Sequence, residues 1–359
     1  MSLPSLPSLH QPFVVGTLET AVGSVPKVSS SLTWADRLGT FKARWGVGRM
    51  NYKIDPGLYA LGEPGAECPV LVSANYKMSF DRLREALPGH DAWILVLDTD
   101  GINVWCAAGK GTFGTDELVS RIQSSGLAQV VSHRRLILPQ LAAPGVAAHL
   151  VRKGSGFAVT YGPIQAKDLP AFMAEGMKAT SAMRLKTFNL QERTVLIPVE
   201  LVIALKKVLI IAPILFLASA LLRPGELWTN GVMYGLYSVL AFLMAVAAGA
   251  VLTPVLLPWL PGRAFSVKGF SPGLLGALIW AALRWETWDA WTGRLEIAAW
   301  FLMMPAVAAY LAMNFTGAST YTSLSGVKKE MHIALPVQIG ACTAGLILWF
   351  VALGIGLGG

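Results

Sequence analysis

Hydrophobic positions divide the chain into two regimes. In the first, short apolar runs alternate with amphipathic stretches. Val70-Leu71-Val72, Ala92-Trp93-Ile94-Leu95-Val96-Leu97, Arg135–Leu138 and residues 157–161 read as strands that are apolar on both faces. Residues 80–87, 117–124, 146–152 and 169–177 carry helical spacing, as with Leu83 and Leu87 one turn apart. Strands of this kind alternating with helices predict a doubly wound, mostly parallel α/β sheet, a Rossmann-like head over residues 51–180. In the second regime five long apolar segments lie near residues 201–222, 231–253, 269–283, 295–314 and 333–357. A membrane span needs about 20 apolar residues, so these predict an all-α domain of five transmembrane helices over 201–359, the third being short. Residues 181–200 read as a charged linker. Residues 1–50 read as an irregular lead-in packed on the head. Their first stretch is rich in Ser and Pro, without a basic residue or apolar core of signal-peptide length, which is not the pattern of a secretion signal.

Charge sharpens the division. Apolar residues make up 54% of the chain and charged ones 14%. From Val208 onward there are seven Lys/Arg and five Asp/Glu, against 22 and 16 in the first 207 residues. The head has the composition of a soluble domain and the rest that of a bilayer segment. Arg193, Lys206, Lys207, Arg263, Lys268, Lys328 and Lys329 fall on one side of the spans. Arg223, Arg284 and Arg294 fall on the other, beside Glu226, Glu286 and Asp289. The basic-rich side should be cytoplasmic, which puts the head in the cytoplasm, the chain in the inner membrane and Gly359 outside. Lys206 and Lys207 should snorkel to the cytoplasmic surface. No basic stripe with interleaved aromatics points to nucleic acid. Cys68, Cys106 and Cys342 are far apart, which supplies neither a disulfide framework nor the ligands of an iron-sulfur cluster.

The chemistry centres on Asn103-Val104-Trp105-Cys106-Ala107-Ala108-Gly109-Lys110, a short apolar helix where a strand ends in Asp98-Thr99-Asp100-Gly101. Carboxyl ends of strands in open α/β sheets are where ligands bind. Gly109-Lys110 is not a phosphate loop, because Val104 and Gly111 stand where that motif needs Gly and Ser or Thr. A free cysteine is commonly just a small buried residue, and that reading of Cys106 stays open. The loops after the other strands carry Asn75 and Tyr76, Pro139 to Gly145 with Gln140, and Gly162-Pro163. Small residues there would let a large planar ligand approach the backbone, although turn chemistry alone also accounts for them. His133 and His149 lack metal-site spacing and read as structural or surface residues. Cys68 and Cys342 read as structural. Residues 314–330 join the last two spans on the predicted cytoplasmic side. Hydroxyls there, with Thr316 and Thr320 foremost and Ser319, Thr322 and Ser323 beside them, could meet a ligand or form a solvated loop.

The Asn-Val-Trp-Cys-Ala-Ala-Gly-Lys segment resembles the cap helix of the mercury-methylating corrinoid protein family (HgcA). Leu71-Val72-Ser73-Ala74-Asn75-Tyr76-Lys77, Leu95-Val96-Leu97-Asp98-Thr99, Leu136-Ile137-Leu138-Pro139-Gln140 and Tyr161-Gly162-Pro163 resemble it too. They are similar, more loosely, to the corrinoid domain of the corrinoid iron-sulfur protein large subunit of the acetyl-CoA pathway, which has no cysteine at the cap. The resemblance implies a corrinoid-binding head and a corrinoid-dependent methyltransferase that converts Hg(II) to methylmercury. It implies a base-off cobalamin-type corrinoid whose cobalt takes Cys106 as lower axial ligand, with Asn75, Thr99, Gly101, residues 103–110, Gln140, Gly162 and Pro163 around the cofactor. Its nucleotide tail would enter the head and its ring would face the membrane domain. A soft thiolate donates strongly along the axis and favours departure of the trans methyl group with carbanion character. The cobalt, left as Co(III), must return to Co(I) before accepting a methyl cation from a methyl-folate donor. The family's ferredoxin with two [4Fe-4S] clusters (HgcB) would supply those electrons. The alternatives are a membrane-anchored corrinoid methyl carrier for another acceptor, and a transporter or sensor with a degenerate corrinoid domain.

Overall fold

The computed structural model describes residues 5–318 and 324–354, and the chain divides into two compact units, Met1–Ala43 with Val47–Lys186, and Arg44–Gly46 with Thr187–Gly359. The first is built on a mixed seven-stranded sheet in the order β1-β2-β3-β5-β4-β6-β7. Its strands are β1 (Val14–Thr20), β2 (Gly23–Val28), β3 (Gly57–Leu61), β4 (Val70–Ala74), β5 (Ala92–Leu97), β6 (Arg135–Leu138) and β7 (Ala158–Tyr161). β5, β4, β6 and β7 are parallel, and they are the four strands the apolar runs predict. Alternate side chains feed two cores. Val70, Val72, Leu95, Leu97, Leu136 and Leu138 pack with Leu118, Ile122 and Val151. Leu71, Ile94, Val96 and Ile137 pack with Phe80, Leu83 and Phe172. Burial on both faces is why these strands read as unbroken apolar runs.

The helices are α1 (Trp34–Arg44), α2 (Lys77–Glu85), α3 (Val104–Lys110), α4 (Thr115–Ser124), α5 (Leu127–Val130), α6 (Ala148–Ser155) and α7 (Leu169–Ala174). Leu118 and Ile122 of α4 and Val151 of α6 share one face of the sheet, and Phe80 and Leu83 of α2 the other. The winding therefore reverses between β4 and β6. That is a topological switch point, the place at the carboxyl edge where open α/β sheets take their ligands.

The lead-in is not irregular. It supplies β1 and β2 as an antiparallel hairpin, and α1; β3, which follows, pairs parallel with β2 and antiparallel with β5, so the sheet is mixed while four of its six pairings are parallel. Gly16, Gly23 and Pro26 break the alternation that would have marked the hairpin. α1 is held by a buried charge network. Asp36 accepts from the Thr33 N–H and lies 2.6 Å from Lys77 Nζ and 2.9 Å from Arg84 Nη2; Asp81 pairs with the same two cations. Burial opposes the charge on Asp36. Hydrogen bonds from Lys77, the Thr33 N–H and Arg84 outweigh that and hold its carboxyl well below the usual range. A carboxyl depressed on folding contributes stability above its unfolded pKa, about 3.9, and loses it as the pH falls below that value. Burial pushes the Asp81 carboxyl up, which works the other way, so the Asp36 contribution is isolated by difference: Asp36→Asn should lower the melting temperature at neutral pH and do so much less below about pH 4, as thermal scans of both proteins across pH would show.

Among the described residues the second unit holds five helices long and apolar enough to cross a membrane: Leu190–Leu221, Leu227–Leu256, Phe265–Leu283, Trp291–Thr316 and Ser325–Gly354. The third, expected from 269, begins at Phe265. It packs closely on the fourth through small residues, and a Cβ at Gly273 would lie 2.6 Å from Pro305 Cα. The linker is largely helical and continues into the first of these helices. Arg193 is buried, with Nε 2.8 Å from the Pro254 carbonyl and Nη2 3.2 Å from that of Val255; Lys268 Nζ lies 2.8 Å from the carbonyls of Leu257 and Leu260. Both cations close the carbonyl end of the second helix, where Pro258 and Pro261 prevent its continuation. Arg223 and Arg284 converge on Glu296 Oε2, at 3.1 and 3.4 Å, with Arg223 stacked 3.8 Å above the Tyr234 ring.

Candidate functional site

The site is assembled at the carboxyl ends of β4, β5 and β6. Asn75, directly after β4, is buried and organises the next loop. Its Oδ1 accepts from the N–H groups of Thr99 and Gly101, each at 3.0 Å, and its Nδ2 donates to Asp98 Oδ1 at 2.9 Å. The Thr99 hydroxyl donates to the Ile102 carbonyl at 2.7 Å. Asp100 and Gly101 take left-handed backbone angles, φ 55° and 69°, which turn the chain back over the strand ends. Asn103 then caps α3, accepting the Cys106 N–H at 3.0 Å, and Gly111, at φ 86°, ends it. Glu117 braces the loop from α4, accepting the Asp98 N–H at 2.8 Å while paired with Arg121.

α3 has two contrasting faces. Ala107 and Ala108 are buried against the loop after β6. A Cβ at Gly145 would lie 2.3 Å from the Phe113 carbonyl oxygen and 3.0 Å from Ala108 Cα, so only glycine permits this approach. Val104 and Trp105 are half-buried. Cys106, Gly109 and Lys110 are exposed, and three or four residues apart they share the outer face. A Cβ at Gly109 would meet nothing within 4 Å. The common fate of a lone cysteine therefore does not apply to Cys106, whose thiol stands on an open surface with a flat step one turn away. Among the described residues no three His, Cys, Asp or Glu gather as a metal site.

The remaining predicted residues lie as follows. Gln140 is in a turn of 3₁₀ helix after β6; its side chain is hydrogen-bonded by Arg184 and its N–H faces the Pro163 carbonyl at 3.5 Å. Gly162 and Pro163 are buried, with the Gly162 N–H donating to the Leu138 carbonyl at 2.8 Å. Thr316 belongs to the second unit, is buried and donates to the Met313 carbonyl at 2.7 Å. Thr320, with Ser319, Thr322 and Ser323, lies outside the described residues. His133 bridges the Cys68 carbonyl and the Arg135 N–H, and His149 is exposed. The structure thus joins Asn75, Thr99, Gly101, Asn103 and α3 in one hydrogen-bonded assembly, in which the two asparagines hold backbone and Cys106, Gly109 and Lys110 face outward.

Asn75→Leu would strand two N–H groups, at a cost of about 1–3 kcal/mol for each that stays buried. It should lower the melting temperature and speed amide hydrogen exchange across residues 99–107 more than across β6, which mass spectrometry would resolve.

Residues 46–172 match the family model of the CO dehydrogenase/acetyl-CoA synthase delta subunit. The chain is also similar to gamma subunits of the acetyl-CoA decarbonylase/synthase complex. That of Archaeoglobus fulgidus is 29% identical over 127 residues, 35% of this chain and 27% of the relative. That of Methanopyrus kandleri is 30% identical over 123 residues, 34% and 26% of the two chains. That of Methanosarcina acetivorans is 31% identical over 132 residues, 35% and 27%. The chain spans about a quarter of the length of these relatives. The family match contains β3 to β7 and the whole cap assembly; β1, β2, α1 and all five apolar helices lie outside it. These similarities fall on the more distant of the two resemblances, that to the acetyl-CoA pathway protein, and do not bear on mercury.

Proposed function

We propose that this chain is a membrane-embedded corrinoid protein that methylates inorganic mercury, with Cys106 as the lower ligand of cobalt. The observation that carries the reading is the exposed thiol of Cys106 on a helix anchored at the switch-point edge, with open space in front of Gly109. These residues fit a planar macrocycle with a central soft-ligand position. Cys106 would hold the cobalt of a corrinoid, and a bound corrinoid would supply the methyl group for transfer to Hg(II), with the soft thiolate favouring its departure with carbanion character. Asn103 fixes the helix start that presents Cys106, and Asn75 and Thr99 hold the loop that carries Asn103. Gly145 allows α3 to seat on the β6 loop. The strand ends of β4 and β6, at the switch point, would receive the nucleotide tail.

In this reading the head is cytoplasmic, electrons come from a ferredoxin with two [4Fe-4S] clusters, and methyl groups come from a methyl-folate system. The cluster cysteines absent from the sequence motivate the electron donor. The purified chain should carry no stoichiometric iron or sulfide and should turn over once unless a ferredoxin or strong chemical reductant is present.

The deciding experiment incubates the purified full chain, loaded with methylcobalamin, with Hg(II) and measures methylmercury. Methylmercury stoichiometric with cobalt supports the proposal. Bound corrinoid without methylmercury under any reductant would instead favour a methyl carrier for another acceptor, a reading to which the similarity to acetyl-CoA decarbonylase/synthase subunits lends weight. Failure to retain cobalt would overturn both and leave a transporter or sensor.

A further inference from the structure

α1 is inside out. An amphipathic helix on a soluble domain normally turns its apolar stripe to the core. Here the residues facing the head are Asp36, Gly39, Thr40 and Ala43. Asp36 is locked by Lys77 and Arg84, and a Cβ at Gly39 would lie 2.7 Å from the Tyr52 hydroxyl, which itself donates to the Asp36 carbonyl. The outward stripe is Trp34, Leu38 and Phe41, at spacings of four and three. Trp34 is 76% exposed and Phe41 59%, and Met50, a little further on, is 77% exposed. A buried ion network thus fastens the polar face inward and holds the aromatic face out.

Charge says what that face is for. Between Ser29 and Ile54 the only acidic residue is Asp36, already paired, whereas Arg37, Lys42, Arg44, Arg49 and Lys53 are basic. Arg37 and Lys42 are exposed and flank the stripe. Trp, Phe and Leu on one side with cations at the margins is the composition of a helix that lies in the interface of an anionic bilayer. We propose that α1 is an interfacial foot that inserts its Trp34–Leu38–Phe41 stripe into the headgroup region of anionic lipid, and so restrains the head at the membrane surface. This goes beyond the methyl-transfer reading and does not depend on the acceptor.

The test uses the full chain with Cys68, Cys106 and Cys342 replaced by serine and one spin label, at Leu38→Cys or at Glu63→Cys as a water-exposed control. Nanodiscs of phosphatidylcholine with or without phosphatidylglycerol are compared by collision with oxygen and with a nickel chelate. With phosphatidylglycerol, the oxygen-to-nickel ratio at position 38 should exceed that at 63 on the order of tenfold, as for a group below the headgroups. Arg37→Glu with Lys42→Glu should bring it back toward the control. A label at 38 open to both reagents means that the stripe stays in water. One closed to both, in discs and in detergent alike, means that protein covers it, whether this chain or a second copy. A ratio indifferent to phosphatidylglycerol removes the electrostatic part. Any of these three results overturns the proposal.

Discussion

Replacing Cys106 by alanine should abolish methylmercury formation and leave the head folded. The residue is exposed, and substitutions at such positions usually change stability by no more than about 0.5 kcal/mol. The contact that orders this turn, from the Cys106 N–H to Asn103 Oδ1, belongs to the backbone and survives the change. Loss of activity cannot then be put down to unfolding, and melting curves of the two proteins should superimpose. The chemical loss should be at least a hundredfold, about 2.7 kcal/mol of transition-state stabilisation, because alanine offers a metal no donor atom. Ligation also shapes the cobalt absorption bands, so wild type and Cys106→Ala should differ in spectrum at equal corrinoid content. Cys106→His, a weaker donor, should keep corrinoid and methylate poorly. An alanine variant with the wild-type spectrum and wild-type methylation would remove the cysteine from the mechanism altogether.

What the sequence made legible follows from what each element buries. β4, β5 and all but the first residue of β6 are enclosed on both faces, so their apolar runs stand out, and β6 falls on the predicted Arg135–Leu138. The apolar helices were equally plain, since each keeps its hydrophobicity over the length that a span would need. The hairpin of β1 and β2 lies at the sheet edge, where glycine and proline are tolerated and the alternation fades. α1 escaped because its apolar stripe faces away from the head, against the rule by which helices are placed. At the site, the motif marked Cys106, but spacing could not say whether the thiol was buried; the loop held by Asn75 decides that, through contacts between residues about 25 positions apart. A separation of 19 positions hid Glu117, whose role depends on the Asp98 N–H. Arg223 and Arg284, read as loop charges, close on Glu296 because each alone would be costly at the end of an apolar helix.

The sharpest probe of a planar ligand is a residue that does nothing for the apoprotein. Gly109 is exposed in α3, one turn from Cys106, and a side chain there meets no protein atom within 4 Å of its Cβ. Gly109→Leu should therefore fold as well as wild type, or slightly better, because leucine is favoured over glycine inside a helix by about 0.8 kcal/mol. The same isobutyl group would stand up from the face that presents the thiol. A macrocycle drawn onto Cys106 would have to overlap it or tilt away from the sulfur. Corrinoid retained after desalting should fall at least tenfold, equivalent to about 1.4 kcal/mol or more, and methylmercury formation with it. Gly109→Ala, which adds one methyl group, should fall between the two. Alkylation of Cys106 by iodoacetamide in the apoprotein should proceed at the wild-type rate in both variants, since a small reagent needs no flat surface. This pattern, with stability and thiol access kept and corrinoid lost, would place the ring against the Cys106–Gly109 face. Full retention of corrinoid and activity in Gly109→Leu would mean that the ring does not lie there, and axial ligation by Cys106 would have to be abandoned with it.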